Sequence, residues 1–115
     1  MAHSAAPIDP FASASTMLAT LQLNQLSATA LLEHHLWCIE RYNEQINAIV
    51  VPNCEQAQKQ VAEAAYTRGE SLEPQHGLPV TIMDCIEVTG LHTRAAIAER
   101  AHTISTQNGP VAQRV

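Results

Sequence analysis

The sequence has little positive charge and few aromatic residues. It contains six lysines and arginines against eleven acidic residues, which gives a formal net charge of −5, and Lys59 is its one lysine. A chain without a basic stripe is poorly suited to a phosphate backbone, so we expect no nucleic-acid partner. Aromatic residues make up 3% of the chain, which predicts a core of aliphatic side chains and alanine.

Long apolar runs and paired cysteines are also absent. No stretch approaches the roughly 20 apolar residues that cross a bilayer, and no basic segment precedes an apolar one at the amino terminus. We therefore expect no membrane span and no signal peptide. Cys38, Cys54 and Cys85 are an odd number that forms no disulfide framework, which favours a reducing compartment, the cytoplasm.

The four glycines are scattered, and the sequence holds no Gly-Ser or Ser-Gly dipeptide. Serine hydrolases expose the nucleophile on a tight, glycine-flanked turn and aim backbone N–H groups at the oxyanion. No such turn is present in this sequence. Three serines are therefore interpreted as helix caps or loop residues, namely Ser27, Ser71 and Ser105.

The first long helical pattern begins after Ser27, the expected N-cap, and ends at Asn43 or Asn47. Apolar residues at helical spacing form one stripe along it. A shorter helix, capped by Ser15 or Thr16, is expected before it. The predicted stripe consists of Leu32, Leu36, Ile39 and Ile46.

A second long helix is predicted from an N-cap at Asn53 to Arg68, with Ala57 and Val61 facing inward and Gly69 as its C′ residue. Two long helices joined by a short connection favour an antiparallel αα-hairpin. The sequence thus predicts a flexible arm at residues 1–14 and a helical hairpin at residues 15–69, within one small domain.

Residues 70–115 are expected to form a loop, a short strand and a weakly structured tail. Residues 80–84 are the best strand candidate, with Leu78, Val80 and Ile82 on one face and Thr81 and Met83 on the other. Residues 86–88 are interpreted as a second short strand or a turn. An unpaired strand exposes backbone groups and an apolar face, so we expect a homo-oligomer or a protein partner.

Residues 76–91, HGLPVTIMDCIEVTGL, resemble a motif of the amidase signature family, in which the pattern is close to HGLPVTIKD. The likeness extends in order over residues 15–95. The segments that carry it are LSATALLE at residues 26–33, IERYN at residues 39–43, INAIV at residues 46–50 and AQKQVAEAAYTRGE at residues 57–70. It weakens after Thr93, where the family's TTAGS loop has become TRAAI. Residues 110–115 resemble the start of a further family helix. The resemblance implies a mostly α fold with a short β element, an αα-hairpin plus one or two short strands, as a fragment of the family's α/β fold.

Met83 stands where the family has the lysine of a Ser–cis-Ser–Lys triad. A thioether carries no titratable proton, so it cannot relay one from a serine. The serine-bearing loop, GSSGGS in the family, is absent as well. We therefore expect no catalytic residue in this chain. Met83→Lys is expected to destabilise the protein, because an ammonium group would be buried without a partner.

The remaining candidate residues are interpreted as structural rather than catalytic or metal-binding. Asp84, which follows the family's lysine position, is expected to support local hydrogen bonds, and His76 to pack in a turn. His34 and Cys38 are spaced as a ligand pair on one helix face. Two ligands make no structural zinc site, and the family uses no metal, so we expect neither a metal nor a cofactor.

Three hypotheses follow from these observations. The first is a catalytically silent remnant, or amino-terminal fragment, of an amidase-signature amide hydrolase, with an interaction role or none. The second is part of an amidase, a C–N hydrolase acting on carboxamides, that needs the missing serine region in trans. The third is a regulator that binds an intact amidase.

Overall fold

The structure, a computed structural model, describes residues 8–66 and 75–115. Their regular structure is helical, and no β-sheet occurs among them, which confirms a mostly α fold class. None of the helices in these ranges combines the length and the apolar character required to cross a bilayer. The helices are α1 (Ala14–Gln22), α2 (Ala28–Ile46), α3 (Cys54–Tyr66), a 3-10 helix (Ala98–Arg100) and α4 (Pro110–Arg114).

The described residues belong to two compact units. The first unit lies within Met1–Ala48 and Asn53–Pro79, and the second comprises Ile49–Pro52 and Val80–Val115. The first unit contains α1, α2 and α3, whereas the second contains the 3-10 helix and α4.

Helix α1 begins earlier than the sequence suggests. Its N-cap is Ser13, whose Oγ accepts a hydrogen bond from the Thr16 N–H at 3.2 Å. The Ser13 and Thr16 hydroxyl oxygens also lie 2.9 Å apart. The prediction of a cap at Ser15 or Thr16 is therefore wrong: Thr16 is instead the residue whose N–H the cap satisfies.

Helix α2 begins and ends at residues that the sequence identifies. Ser27 is extended, and its Oγ accepts a hydrogen bond from the Ala30 N–H at 3.1 Å, so the predicted N-cap is confirmed. Asn47 adopts the left-handed conformation with φ 49°, and its N–H donates to the Asn43 carbonyl at 2.7 Å. Asparagine tolerates this conformation better than most residues, which explains the stop at Asn47.

Burial concentrates at the start of α2. Leu31 is completely buried, and Leu32 and Leu26 are nearly so, while Leu36 and Ile39 are only half-buried. Ile46, predicted to face inward, is 67% exposed. Periodicity identifies the apolar side of a helix, but burial depends on what packs against each turn. Ile46 lies on the last turn, next to the left-handed residue Asn47, and remains in solvent.

Helix α3 packs against α2, as expected for an αα-hairpin. The Ala57 N–H donates to the Asn53 carbonyl at 3.0 Å, which makes Asn53 the residue before the first helical turn. Ala57 and Val61 are half-buried. The predicted helix end at Arg68 and the predicted C′ residue Gly69 lie outside the described residues.

The second unit is held by hydrogen bonds between two short extended segments. Gly90 N–H donates to the Ser105 carbonyl, Ser105 N–H to the Leu91 carbonyl, and Thr93 N–H to the Thr103 carbonyl. His92 and Ile104 form an isolated antiparallel bridge between them. Residues 80–84 form no ladder with any described residue, so the short strand predicted there stays a prediction.

Candidate functional site

Met83 lies in a surface turn of the second unit. Its side chain is 71% exposed, and its carbonyl accepts a hydrogen bond from the Ile86 N–H at 2.9 Å. The expectation that a charge at this position would be buried is therefore wrong, because the side chain already points into water. A thioether at the surface offers neither a proton nor a strong hydrogen-bond donor.

Asp84, the next residue, holds a strained loop through two hydrogen bonds. Its carboxylate Oδ1 accepts from the Arg94 N–H at 3.1 Å, and its carbonyl accepts from the Ala95 N–H at 3.3 Å. Ala95 and Ala96 have φ values of 50° and 57°, a left-handed conformation that alanine adopts at a cost. Asp84 thus has the local structural role expected from the sequence.

Two buried hydroxyl groups face each other close to this loop. Thr93 is 1% exposed and Ser105 7%, and their hydroxyl oxygens lie 2.5 Å apart. The Ser105 hydroxyl is therefore engaged with Thr93 and is shielded from solvent, unlike an activated nucleophile. The hydroxyl of Ser27 caps α2, and Ser71 lies outside the described residues.

Next to Thr93, two buried nitrogen atoms lack hydrogen-bond partners among the described residues. They are His92 Nδ1 and Arg94 Nε. Buried polar atoms in folded proteins are nearly always hydrogen-bonded, so each is a site where a further contact would be favourable. No pattern in the sequence identifies either atom.

His76 lies in a turn of the first unit. The Leu78 N–H closes this turn on the Gln75 carbonyl at 3.0 Å, and Gly77 has φ +83°. The third residue of a type II turn requires a positive φ, which explains the glycine. A Cβ on Gly77 would lie 3.0 Å from the Ala28 Cβ, so the turn also approaches α2 closely.

His34 and Cys38 lie one turn apart on α2, with Cys38 Sγ 3.9 Å from His34 Nε2. The neighbouring His35 is engaged differently, since its Nδ1 lies 2.8 Å from the Leu31 carbonyl oxygen. Groups of three or more His, Cys, Asp or Glu residues suited to a metal are absent from the described parts of the chain.

The same helix carries an aromatic and cationic arrangement that was not predicted from the sequence. The His34 ring stacks on Trp37 at 6.3 Å and 25°, and the Arg41 guanidinium lies 5.3 Å from the centroid of a Trp37 ring. Tyr42 meets Trp37 edge-on, and Arg41 also lies 5.7 Å from the Tyr42 ring. The spacing of Trp37 and Arg41, four residues apart, is the signal that identifies such a pair.

Comparison with known proteins gives a consistent result. The family model described as Amidase matches residues 30–115. An acylamidase of Rhodococcus erythropolis is 36% identical over 105 residues, which are 90% of this chain and 22% of that protein. A glutamyl-tRNA(Gln) amidotransferase subunit of Chlamydia pneumoniae is 36% identical over 86 residues, which are 73% of this chain and 18% of that protein. The chain thus spans about a fifth of the length of these curated relatives.

Proposed function

Because the chain belongs to the amidase family, we propose that it is a catalytically silent amino-terminal portion of an amidase-signature protein and that its present role is protein interaction. The observation that carries the proposal is Met83, which stands at the family's lysine position with an exposed thioether. General acid–base catalysis needs a group that gains and loses a proton, and a thioether has none.

The serines support the same proposal. A nucleophilic serine needs an adjacent base and a turn that presents its hydroxyl to the substrate. Ser27 caps α2, and the buried Ser105 hydroxyl pairs with Thr93.

An interaction role is supported by apolar side chains at the surface of the second unit. Scattered exposed apolar residues are normal, but a unit this small that leaves many of them in water gains by covering them. The side chains about half exposed or more are Val50, Val80, Met83, Ile97, Ile104, Val111 and Val115.

The proposed partner is a second copy of this chain, with an intact amidase as the alternative. One lysine and a net charge of −5 favour a protein over a nucleic acid. The three free cysteines support the cytoplasm as the compartment.

A second candidate is part of an amide hydrolase that acquires its serine-bearing region in trans. The printed names of the two relatives, an acylamidase and an amidotransferase subunit, support an amide-directed activity as the alternative. Met83 opposes it, because complementation would restore the serines but not the lysine. We therefore place it behind the interaction role.

Turnover of small aryl and aliphatic amides by the purified chain tests the proposal. The expected result is no hydrolysis above the uncatalysed rate, either alone or mixed with the missing region of a homologous amidase. Hydrolysis that persists through further purification and disappears on substitution of a single residue of this chain would overturn the proposal. Hydrolysis only in the mixture would establish the second candidate.

A further inference from the structure

The exposed side of α2 places two metal-binding atoms close together. His34 Nε2 and Cys38 Sγ lie 3.9 Å apart, on residues four positions apart in the helix. Both side chains are half-buried, so part of each remains accessible to solvent. Imidazole nitrogen and thiolate sulfur are the two ligand types that zinc-like cations prefer.

We propose that His34 and Cys38 form a binding site for one divalent cation of the zinc type. With a Zn–S distance of about 2.3 Å, a Zn–N distance of about 2.05 Å and a tetrahedral angle, the two donor atoms would be roughly 3.6 Å apart. The observed 3.9 Å exceeds this by about 0.3 Å, which small side-chain rotations remove.

Neighbouring rings position the histidine ligand. The His34 ring stacks on Trp37, and the Trp37 ring in turn lies under the Arg41 guanidinium and meets Tyr42 edge-on. These contacts limit the orientations of the His34 ring. A ligand already oriented loses less conformational entropy when the metal binds.

The charge of the helix suits a cation. Helix α2 carries three glutamates, Glu33, Glu40 and Glu44, against the single cation Arg41, which gives an excess of two negative charges. The Arg41 guanidinium is also occupied by the aromatic faces of Trp37 and Tyr42. The net charge of the helix as a whole therefore favours a cation over an anion.

Binding proceeds by ligand exchange at the metal. The Cys38 thiol releases its proton to solvent, the thiolate sulfur and the His34 Nε2 lone pair bind the metal, and the aqua ion releases all but two of its waters as it becomes tetrahedral. No third His, Cys, Asp or Glu joins them within the described ranges, so two coordination positions keep water. This open site differs from the closed four-ligand site that stabilises zinc-finger folds.

Cobalt(II) is the probe for this site, since it takes zinc ligands and its bond to a thiolate gives a charge-transfer absorption. Titration of the reduced protein is expected to produce that absorption with one ion per chain, and zinc is expected to abolish it. Trp37, the one tryptophan, stacks on His34, so its fluorescence is expected to be quenched in parallel.

Four variants decide the assignment. Cys38→Ser is expected to remove the absorption, and His34→Gln to weaken binding at least tenfold, since losing even an outer-shell partner costs roughly 10- to 100-fold. Cys85→Ser and His102→Gln alter an exposed cysteine and an exposed histidine elsewhere and are expected to bind as the wild type does. Unchanged far-UV circular dichroism verifies the fold of each.

The proposal is overturned by any of three results. One is a folded wild type that shows no charge-transfer absorption under reducing conditions. Another is an absorption that survives in Cys38→Ser. The last is an absorption lost in Cys85→Ser, which would assign the thiolate to Cys85.

Discussion

Thr93 Oγ1 and Ser105 Oγ lie 2.5 Å apart, and both residues are buried. This side-chain hydrogen bond connects the same two segments that pair through the backbone between Gly90 and Ser105. A buried hydroxyl pair of this kind is stabilising only while both groups remain, because each satisfies the other away from water. Removal of one of the two hydroxyl groups is therefore expected to destabilise the second unit.

Thr93→Val is expected to lower the free energy of unfolding of the second unit by about 1–3 kcal/mol, because it leaves the Ser105 hydroxyl buried without a partner. Adding Ser105→Ala is expected to cost less than the sum of the two single changes. Hydrogen exchange of the amides in residues 90–105 measures the effect. Thr106→Ala, at an exposed position nearby, is the control. Equal exchange rates in Thr93→Val and the control would contradict the prediction.

Met83→Lys is expected to change the free energy of unfolding by less than about 0.5 kcal/mol, as substitutions at exposed positions do. It is also expected to give no amide turnover, since no activated serine accompanies the new amine. Ile82→Lys, at the half-buried neighbour, is the matched comparison and is expected to cost more. Urea unfolding followed by far-UV circular dichroism distinguishes them, and a larger loss in Met83→Lys would contradict the observed exposure.

Gly77→Ala is expected to lower the free energy of unfolding more than Gly90→Ala does. Both glycines have φ near +80°, so alanine introduces similar backbone strain, about 1 kcal/mol, at each. At Gly77 the new Cβ also meets the Ala28 Cβ at 3.0 Å, whereas at Gly90 the described residues beyond its chain neighbours place no heavy atom within 4 Å of the new Cβ. Hydrogen exchange around each turn measures the two losses. Equal losses of stability would contradict the prediction, because they would mean that Ala28 and the start of α2 move away from the new Cβ without a cost in free energy.

Ala96→Gly is expected to raise the free energy of unfolding of the second unit by up to about 1 kcal/mol, since glycine adopts φ +57° without strain. Glycine also stands at this position in the family's TTAGS pattern, to which residues 93–97 correspond. Ala98→Gly, in the 3-10 helix, is the control and is expected to destabilise. Slower amide exchange around residue 96 would support the prediction, and faster exchange would refute it.

Self-association at micromolar concentration is the expected behaviour in sedimentation velocity. A two-fold dimer in which residues 80–84 of each copy pair as the predicted strand would cover the apolar face of that strand, and burial of roughly 800 Å² per partner suffices for stable association. Val80→Glu places a charge on that face and is expected to favour monomers, whereas Thr81→Glu, on the opposite face, is not. A single monomeric species for the wild type would eliminate the dimer and leave an intact amidase as the partner to test.

The features that the sequence predicted well depend on single residues with strong local preferences. Ser27 caps α2 because its hydroxyl satisfies the Ala30 N–H, and Asn47 ends the helix because asparagine tolerates a positive φ. The helix at residues 110–115 was expected from the family resemblance, and Pro110 begins α4, where its fixed φ suits the first helical position. Each effect acts within one turn of the chain, so a local pattern was sufficient.

The features that the sequence did not predict depend on contacts between distant segments. The exposure of Met83 and Ile46 is set by what packs around each side chain, and alternation or helical spacing identifies only a face. The pairing of Thr93 with Ser105 joins residues twelve positions apart. The proximity of Cys38 to His34 was visible as a spacing, but the stacking of His34 on Trp37 was not.

The division into two units determines which part of the protein its aromatic spectroscopic signals report on. All four phenylalanine, tyrosine and tryptophan residues, Phe11, Trp37, Tyr42 and Tyr66, belong to the first unit. Intrinsic fluorescence and near-ultraviolet aromatic signals therefore originate from that unit alone. If the second unit opens independently, these signals do not record it, and a single sharp fluorescence transition would conceal a protein that unfolds in two steps.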